Sequence, residues 1–376
     1  MTGMRLARLL RRALSEEQLL EQAGEALLAE LLSHPSEHHF ELLDERRFQK
    51  SALVEPLLAR SRGEQLRDWE LSEHLACLAA RLAGRTLTDA DFQRMMVRAG
   101  ALMANARRLA GLLDEAERAL DGVALYAAGS WERVLYCRAL GLVRWEQGQA
   151  EEGAGWLDEA ARLFSELLLP EHEGEALTLL GLLQAEEGLL PQSTGACMAG
   201  LQRLPSMQRP WLAARGCLTL AANLAEIGCP EDASRLLQKG RQLTAAVDDG
   251  QEATFLYGLE GAVLGRVGEP AAATGLLRTV RTRHLVDARL PEAALASLEL
   301  AALLAEQGRA SEIEVLAAEL EERFATRPAT GEAVAALRSP IWSEPSRWRR
   351  NAEPLIAGLR HQLRQRGPRP RPLPFA

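Results

Sequence analysis

Leu180-Gly181-Leu182-Leu183-Gln184-Ala185-Glu186-Glu187-Gly188 ends an apolar helical run at a glycine, and Ala301-Ala302-Leu303-Leu304-Ala305-Glu306-Gln307-Gly308 does the same further along the chain. A glycine just past a helix end adopts the left-handed conformation without steric cost. The turn glycines lie 40 residues apart, at Gly148, Gly188, Gly228, Gly268 and Gly308. A fixed long period of this kind is typical of a solenoid. The sequence therefore predicts a helical-repeat scaffold.

A second set of positions repeats with the same period. A small residue lies seven positions before each turn glycine, and in four of the five repeats a leucine directly precedes it. Small residues allow two antiparallel helices to approach closely, and leucine fills the seam beside them. The pattern therefore predicts tightly packed helix pairs. The small residues are Gly141, Gly181, Ala221, Gly261 and Ala301.

These positions resemble the tetratricopeptide repeat (TPR), whose pattern has Leu-Gly in the first helix, Gly at the turn and Ala in the second helix. Ala233 and Ala273 supply that alanine in two repeats, and the resemblance covers residues 90–326. A period of 40 residues, against about 34 in the family, indicates a long-helix variant. In this respect the chain is similar to the long-helix tetratricopeptide domains of bacterial peptide-sensing regulators and of some polarity scaffolds. The resemblance implies an all-α fold, a right-handed α-solenoid of antiparallel helix pairs (a TPR-like superhelix).

The chain divides into five predicted regions. Residues 1–44 are expected to form an N-terminal helical cap, and residues 45–126 two divergent helical hairpins. The first hairpin is predicted to turn at Ser61-Arg62-Gly63 and the second at Gly111. Residues 127–327 hold the five regular repeats, residues 328–365 the capping helices that must hide the last open face, and residues 366–376 a Pro/Arg-rich tail.

Composition limits the function classes. The net charge of −8 favours solubility and disfavours broad nucleic-acid binding. The five cysteines form no CxxC pair and lie in apolar helical runs, as expected in a reducing cytoplasm. We find neither a signal peptide nor an apolar run long enough to span a bilayer. The sequence thus predicts a cytoplasmic protein with no cofactor and no membrane contact, and the resemblance implies a bacterial one.

Catalytic motifs are missing from the sequence. It contains no glycine-rich phosphate loop, no HExxH and no GxSxG. His34, His38 and His39 cluster near two glutamates, and His74 is a candidate neighbour in space. A zinc site needs converging ligands, so a metal-dependent hydrolase stays open as an alternative to an ordinary histidine-rich surface loop. We expect a non-enzyme, with no catalytic residue and no metal ligand.

The resemblance implies that the first helix of each pair lines a concave groove. Residues two and three positions before each turn glycine then face it, which gives a stripe of glutamates with one arginine. The positions six before the glycine are leucine or alanine, so they cannot hold a carboxylate, and the inner face is apolar. A basic or helical peptide is the implied occupant; the alternative is a solvated helix end. The groove residues are Leu142, Trp145, Glu146, Leu182, Glu186, Glu226, Arg266 and Glu306.

The predicted function is a non-catalytic, regulatory interaction scaffold that binds a partner protein or peptide. A peptide-sensing regulator of a neighbouring effector is the sharper alternative. A nucleic-acid adaptor is another, because eight arginines stand against Glu353 alone from Pro345 onward. That basic tail is the only candidate for nucleic acid, and its aromatic residue for base stacking is Phe375. A tail that folds back on the groove is a further alternative.

Overall fold

The computed structural model describes residues 18–324, apart from 66–67, 205–208, 248–249 and 288, together with Arg338. Within these residues the protein is all-α, with sixteen α-helices and no strand. The described residues form two compact units, unit 1 up to Glu146 and unit 2 from Gln147 onward. The division falls after Glu146, inside the first of the predicted regular repeats.

Seven α-helices are seen in the part of unit 1 that the structure describes. Helix α3 packs against α4, α5 against α6, and α7 against both α5 and α6. Three short 3-10 turns, Ser36–His38, Ser51–Leu53 and Ala124–Tyr126, connect these elements. The helices are α1 (residues 18–32), α2 (His39–Leu42), α3 (Val54–Glu64), α4 (Trp69–Thr86), α5 (Asp89–Leu109), α6 (Leu113–Asp121) and α7 (Ser130–Glu146).

The turn predicted at Ser61-Arg62-Gly63 is wrong, because α3 continues through it to Glu64. Ser61 is buried, and its hydroxyl donates a hydrogen bond to the carbonyl oxygen of Ser72 at 2.7 Å. This bond fixes the last turn of α3 against α4. The next helix begins only after Asp68, whose carboxylate caps it by accepting from the Leu71 amide at 2.9 Å.

The described residues of unit 2 form nine α-helices, and each packs against the next along the chain. The first helices of successive pairs, α9, α11, α13 and α15, also contact one another in series. They therefore lie side by side as one layer. The helices are α8 (Ala150–Glu166), α9 (Pro170–Glu186), α10 (Leu190–Arg203), α11 (Pro210–Glu226), α12 (Pro230–Thr244), α13 (Gln251–Arg266), α14 (Pro270–Val286), α15 (Leu290–Glu306) and α16 (Ala310–Phe324).

The turn glycines act as the sequence predicts. All five have positive φ, between +69° for Gly308 and +87° for Gly228 and Gly268. At Gly228 the Cys229 amide donates to the Leu224 carbonyl at 2.8 Å, which closes the end of α11 in a Schellman-type bond. The next helix then starts at Pro230, whose fixed φ suits the first helical position. The chain thus reverses within three residues.

The small residue at Gly181 permits the close contact between α9 and α10. A Cβ built there would lie 2.5 Å from Cys197 Sγ and 2.8 Å from the Cys197 backbone nitrogen. The same contact carries a hydrogen-bonded relay. Ser193 Oγ donates to the Gly181 carbonyl at 2.7 Å, and Asn223 Nδ2 of α11 donates to Ser193 Oγ at 2.7 Å. Side chains from two helices therefore anchor the backbone of a third.

The predicted C-terminal capping helices (328–365, apart from Arg338) and the tail (366–376) lie outside the described residues, as do the first 17 residues. Among the helices that are described, none has both the length and the apolar character needed to cross a bilayer.

Candidate partner-binding face

One side of the layer formed by α11, α13 and α15 is open. On α13, Phe255, Leu259 and Ala262 are half-buried and Arg266 is exposed. Their spacing of four, three and four residues places them on one side of the helix. Most of the other described residues of α13 are more deeply buried or glycine. The helix thus shows a single partly exposed strip.

The same strip recurs one period earlier and one period later. On α11, Thr219 and Ala222 are half-buried, between buried Arg215 and exposed Glu226. On α15 three of the equivalent positions are half-buried and the fourth, Glu306, is exposed. Because α11, α13 and α15 are neighbours, the three strips form one surface, which we call the α11–α15 face. Its α15 members are Leu295, Glu299, Ala302 and Glu306.

Helix α9 does not extend this face. Leu179 and Leu182, at the equivalent positions, are buried, and Glu175 is 3% exposed. Arg209 contacts the Glu175 carboxylate at 2.8 Å. Of the four equivalent positions on α9, only Glu186 at the end of the helix has a partly exposed side chain. The open surface therefore begins at α11.

The floor of the α11–α15 face is apolar and shallow. A row of alanines, Ala222, Ala262 and Ala302, runs across it with one alanine from each helix. Phe255 and Leu259 lie beside that row on α13. Small side chains leave room for groups of another molecule, and half-exposed apolar area is gained when a partner covers it. This arrangement suits the binding of another molecule.

A buried arginine lies at one end of the face. Arg215 contacts Glu186 at 3.1 Å, and its guanidinium carbon is 4.8 Å from the ring centre of Phe255. It also lies 5.6 Å from the ring centre of Trp211, one turn earlier on α11. Stacking on aromatic faces stabilises a guanidinium that has lost much of its water. The pair and the rings fix the position of this charge.

The predicted glutamate stripe is accompanied by arginines. Glu226 contacts Arg266 of the next first helix at 3.6 Å, and both side chains are about one-third or more exposed. Glu186 is engaged by Arg215, whereas Glu306 is exposed at the end of α15. The edge therefore alternates in sign and is not a uniformly acidic stripe. Pairs this exposed contribute about 0–1 kcal/mol each, so a ligand can replace them at low cost.

The other predicted groove residues are buried. Leu142 and Trp145 of α7 and Leu182 of α9 lie in the core and offer little surface to a ligand. Glu146 is the ion-pair partner of Arg108, an arginine that is 1% exposed in unit 1. The difference from the expectation has a geometric cause, since a fixed offset from the turn glycine reaches the open side only where the neighbouring helix leaves it uncovered.

Sequence reasoning missed half of this face, including Arg215, Phe255, Leu259 and Leu295. The signal was available, because these residues recur at 13 and 9 positions before the turn glycines. Counting back from the turn in steps of three and four residues would have found the whole strip.

We find no metal centre among the described residues. Among them, no group of three or more histidine, cysteine, aspartate or glutamate side chains is placed to hold a metal ion. The structure does bring His39 and His74 together, with ring nitrogens 3.1 Å apart. Burial raises the pKa of the Cys197 thiol to about 12 and also raises that of Cys217. Those thiols stay protonated and unreactive.

No protein-family model matches the chain, and a comparison with curated proteins gives no match either. Among solved structures, it is similar to a Rap protein in complex with the competence and sporulation factor, at 11% identity over 84% of this chain and 88% of that chain, with a TM-score of 0.59. It is also similar to the apo form of RapI, at 11% identity over 84% and 87%, with a TM-score of 0.56. At this identity the likeness is one of fold, and it confirms an all-α array of antiparallel helix pairs.

Proposed function

We propose that this protein is a non-catalytic, regulatory scaffold that binds a peptide or a peptide segment of a partner protein on the α11–α15 face. The observation that carries the proposal is the strip of half-exposed residues repeated on three adjacent helices, with Ala222, Ala262 and Ala302 at its centre. An open apolar strip on otherwise buried helices is a surface suited to a partner.

The likeness in fold supports the same reading. The Rap protein with the most extensive match of the two was solved with the competence and sporulation factor bound to it. A scaffold of stacked helix pairs offers an extended surface to a partner, which favours binding. Peptide-dependent control of an effector in the bacterial cytoplasm is the regulatory form of the proposal.

The charges of the face indicate what the partner carries. Glu226 and Arg266 are exposed and 3.6 Å apart, so a ligand can take over either charge. We therefore expect an apolar peptide with a charged group that meets Glu226 or Arg266, since complementary charge fixes the orientation of a bound segment.

A display library of random peptides tests this directly. Wild-type protein should enrich a family of peptides, and Ala262→Arg should bind them about 30-fold or more weakly, because a large side chain on the floor costs about 2 kcal/mol or more. Ala199→Arg is the matched control: this alanine is also half-buried but lies on α10, the second helix of its pair. It should leave the affinity unchanged.

Two results would contradict the proposal. Equal binding by the wild type and Ala262→Arg would move the site away from the α11–α15 face. Enrichment of no peptide family by the folded wild-type chain would remove peptide binding itself. Circular dichroism of both variants establishes that they remain helical, so that a loss of affinity reports the surface and not the fold.

A further inference from the structure

Two histidines in unit 1 form a direct contact that the proposed function does not use. His39 begins α2 and is 3% exposed, and His74 lies in the middle of α4. The Nδ1 atom of His39 is 3.1 Å from the Nε2 atom of His74, and the ring centres are 5.2 Å apart. Phe40 covers His74 from the side, edge to face, at 5.3 Å between ring centres.

The surrounding backbone determines where the protons lie. The Nε2 atom of His39 is 2.9 Å from the carbonyl oxygen of His34, which can only accept a hydrogen bond. Nε2 of His39 must therefore carry a proton. In the neutral ring, Nδ1 is then an acceptor, so Nε2 of His74 donates to it. This arrangement satisfies both nitrogens of His39 and the Nε2 atom of His74.

Protonation affects the two rings differently. A proton added to Nδ1 of His74 leaves its Nε2–H in place, so the contact with His39 survives. A second proton can only be taken up on Nδ1 of His39, which sets an N–H group against an N–H group and two positive charges at contact distance. The contact cannot exist in that state.

Other charged groups near the pair are already engaged or exposed. On the segment before and within α2, His38 and Glu41 form an exposed pair at 3.6 Å and Glu37 is exposed. Three charged groups on α4 are Glu70, Glu73 and Arg81. Glu70 is exposed, Glu73 forms an ion pair with Arg107 of α5 at 2.6 Å, and Arg81 forms one with Asp44 at 3.1 Å. On α3, Arg60 holds Glu64 at 2.7 Å. Burial, followed by the neighbouring His39, lowers the pKa of His74.

The geometry points to an acid-sensitive latch in unit 1. Residues 34–42 stay docked on α4 while at most one ring of the His39–His74 pair is protonated. The segment is released when both rings are protonated. Release stops at Asp44. Hydrogen bonding by Arg85 lowers the pKa of the Asp44 carboxyl, which keeps this residue ionised and bound to α4 in mild acid. The opening is therefore local and leaves α3 to α7 in place.

Hydrogen-exchange mass spectrometry on the full chain tests the latch. We expect the protection factors of amides 34–42 to fall about tenfold between about pH 7.5 and about pH 5, because the segment loses its hydrogen bond to α4 once both rings are protonated. His74→Gln keeps a neutral donor near the Nε2 position and should abolish this pH dependence. The matched control is His38→Gln, which removes an exposed neighbouring histidine and should behave like the wild type.

The latch is refuted if the wild-type protection of residues 34–42 is the same at both pH values after correction for intrinsic exchange. It is equally refuted if His74→Gln shows the wild-type pH dependence. If that variant does not fold, proton NMR titration of the wild-type imidazoles decides. Two separated protonation steps for His39 and His74 support the latch, and coincident titration of both rings in the range of exposed histidines overturns it.

Discussion

Two glycines inside helices of unit 2 should respond in opposite ways to the same substitution. Gly181 of α9 and Gly155 of α8 are both helical, so replacing either by alanine removes the helix cost of glycine, about 1 kcal/mol. Nothing lies within 4 Å of a Cβ at Gly155. We therefore expect Gly155→Ala to stabilise the protein by about 1 kcal/mol.

At Gly181 the added methyl group meets α10. Its Cβ would lie 2.5 Å from Cys197 Sγ, 2.8 Å from the Cys197 nitrogen and 3.1 Å from the Ser193 carbonyl oxygen. Two of these three atoms belong to the backbone, so relief requires moving the whole helix. Overpacking of this kind costs about 1–3 kcal/mol, and backbone contacts place Gly181→Ala at the upper end. After the gain in helix propensity, the net destabilisation is about 2 kcal/mol.

Urea denaturation followed by far-UV circular dichroism measures both variants. Because helical-repeat proteins often unfold in more than one step, hydrogen exchange of the α9 and α10 amides provides the local measurement. The expected order of midpoints is Gly155→Ala above the wild type and Gly181→Ala below it. A Gly181→Ala protein as stable as the wild type would refute the close approach of α9 and α10, and with it the packing role assigned to the small residue in each repeat.

Three further perturbations have expected outcomes. Gly228→Ala keeps φ near +87° with open space around the Cβ, so backbone strain alone should lower stability by about 1–2 kcal/mol, measured as a thermal midpoint. Glu146→Leu leaves Arg108, which is 1% exposed, without its carboxylate and should cost about 3–5 kcal/mol, most of which the double variant with Arg108→Met should recover. Burial and Arg289 lower the pKa of His284 to about 4; its neutral form is favoured in the folded state, so its contribution is present above about pH 6.5 and lost as the pH falls toward 4. His284→Gln should reduce the dependence of the thermal midpoint on pH over that range, and a dependence as steep as that of the wild type would contradict the assignment.

The turns and the helix pairing were predictable because they depend on single residues with a strict local requirement. Only glycine adopts φ near +87° without strain, so Gly228 and Gly268 marked the helix ends in the sequence itself. The turn predicted at Gly63 was wrong because a glycine marks a helix end only where the backbone needs positive φ. That glycine sits within α3 and needs no positive φ, and the boundary was set instead by the cap at Asp68.

The binding face was harder to predict because it depends on contacts between helices. The Glu186–Arg215 pair joins two different helices and residues 29 positions apart in sequence. The repeat pattern of the chain does not predict this pairing. Leu182 and Ala222 occupy equivalent repeat positions, yet the first is buried and the second half-exposed. The surroundings of each repeat differ, so identical register does not give identical exposure.

The relay through Asn223, Ser193 and the Gly181 carbonyl has a consequence for how unit 2 comes apart. In a one-dimensional array, the stability of each repeat includes a coupling energy with its neighbour. This relay adds a buried polar coupling between α9, α10 and α11. If one member is lost, the remaining polar groups are left buried without a hydrogen-bond partner. The segment from α9 to α11 should therefore melt as a single block, and the boundary between folded and unfolded chain will seldom stop inside it.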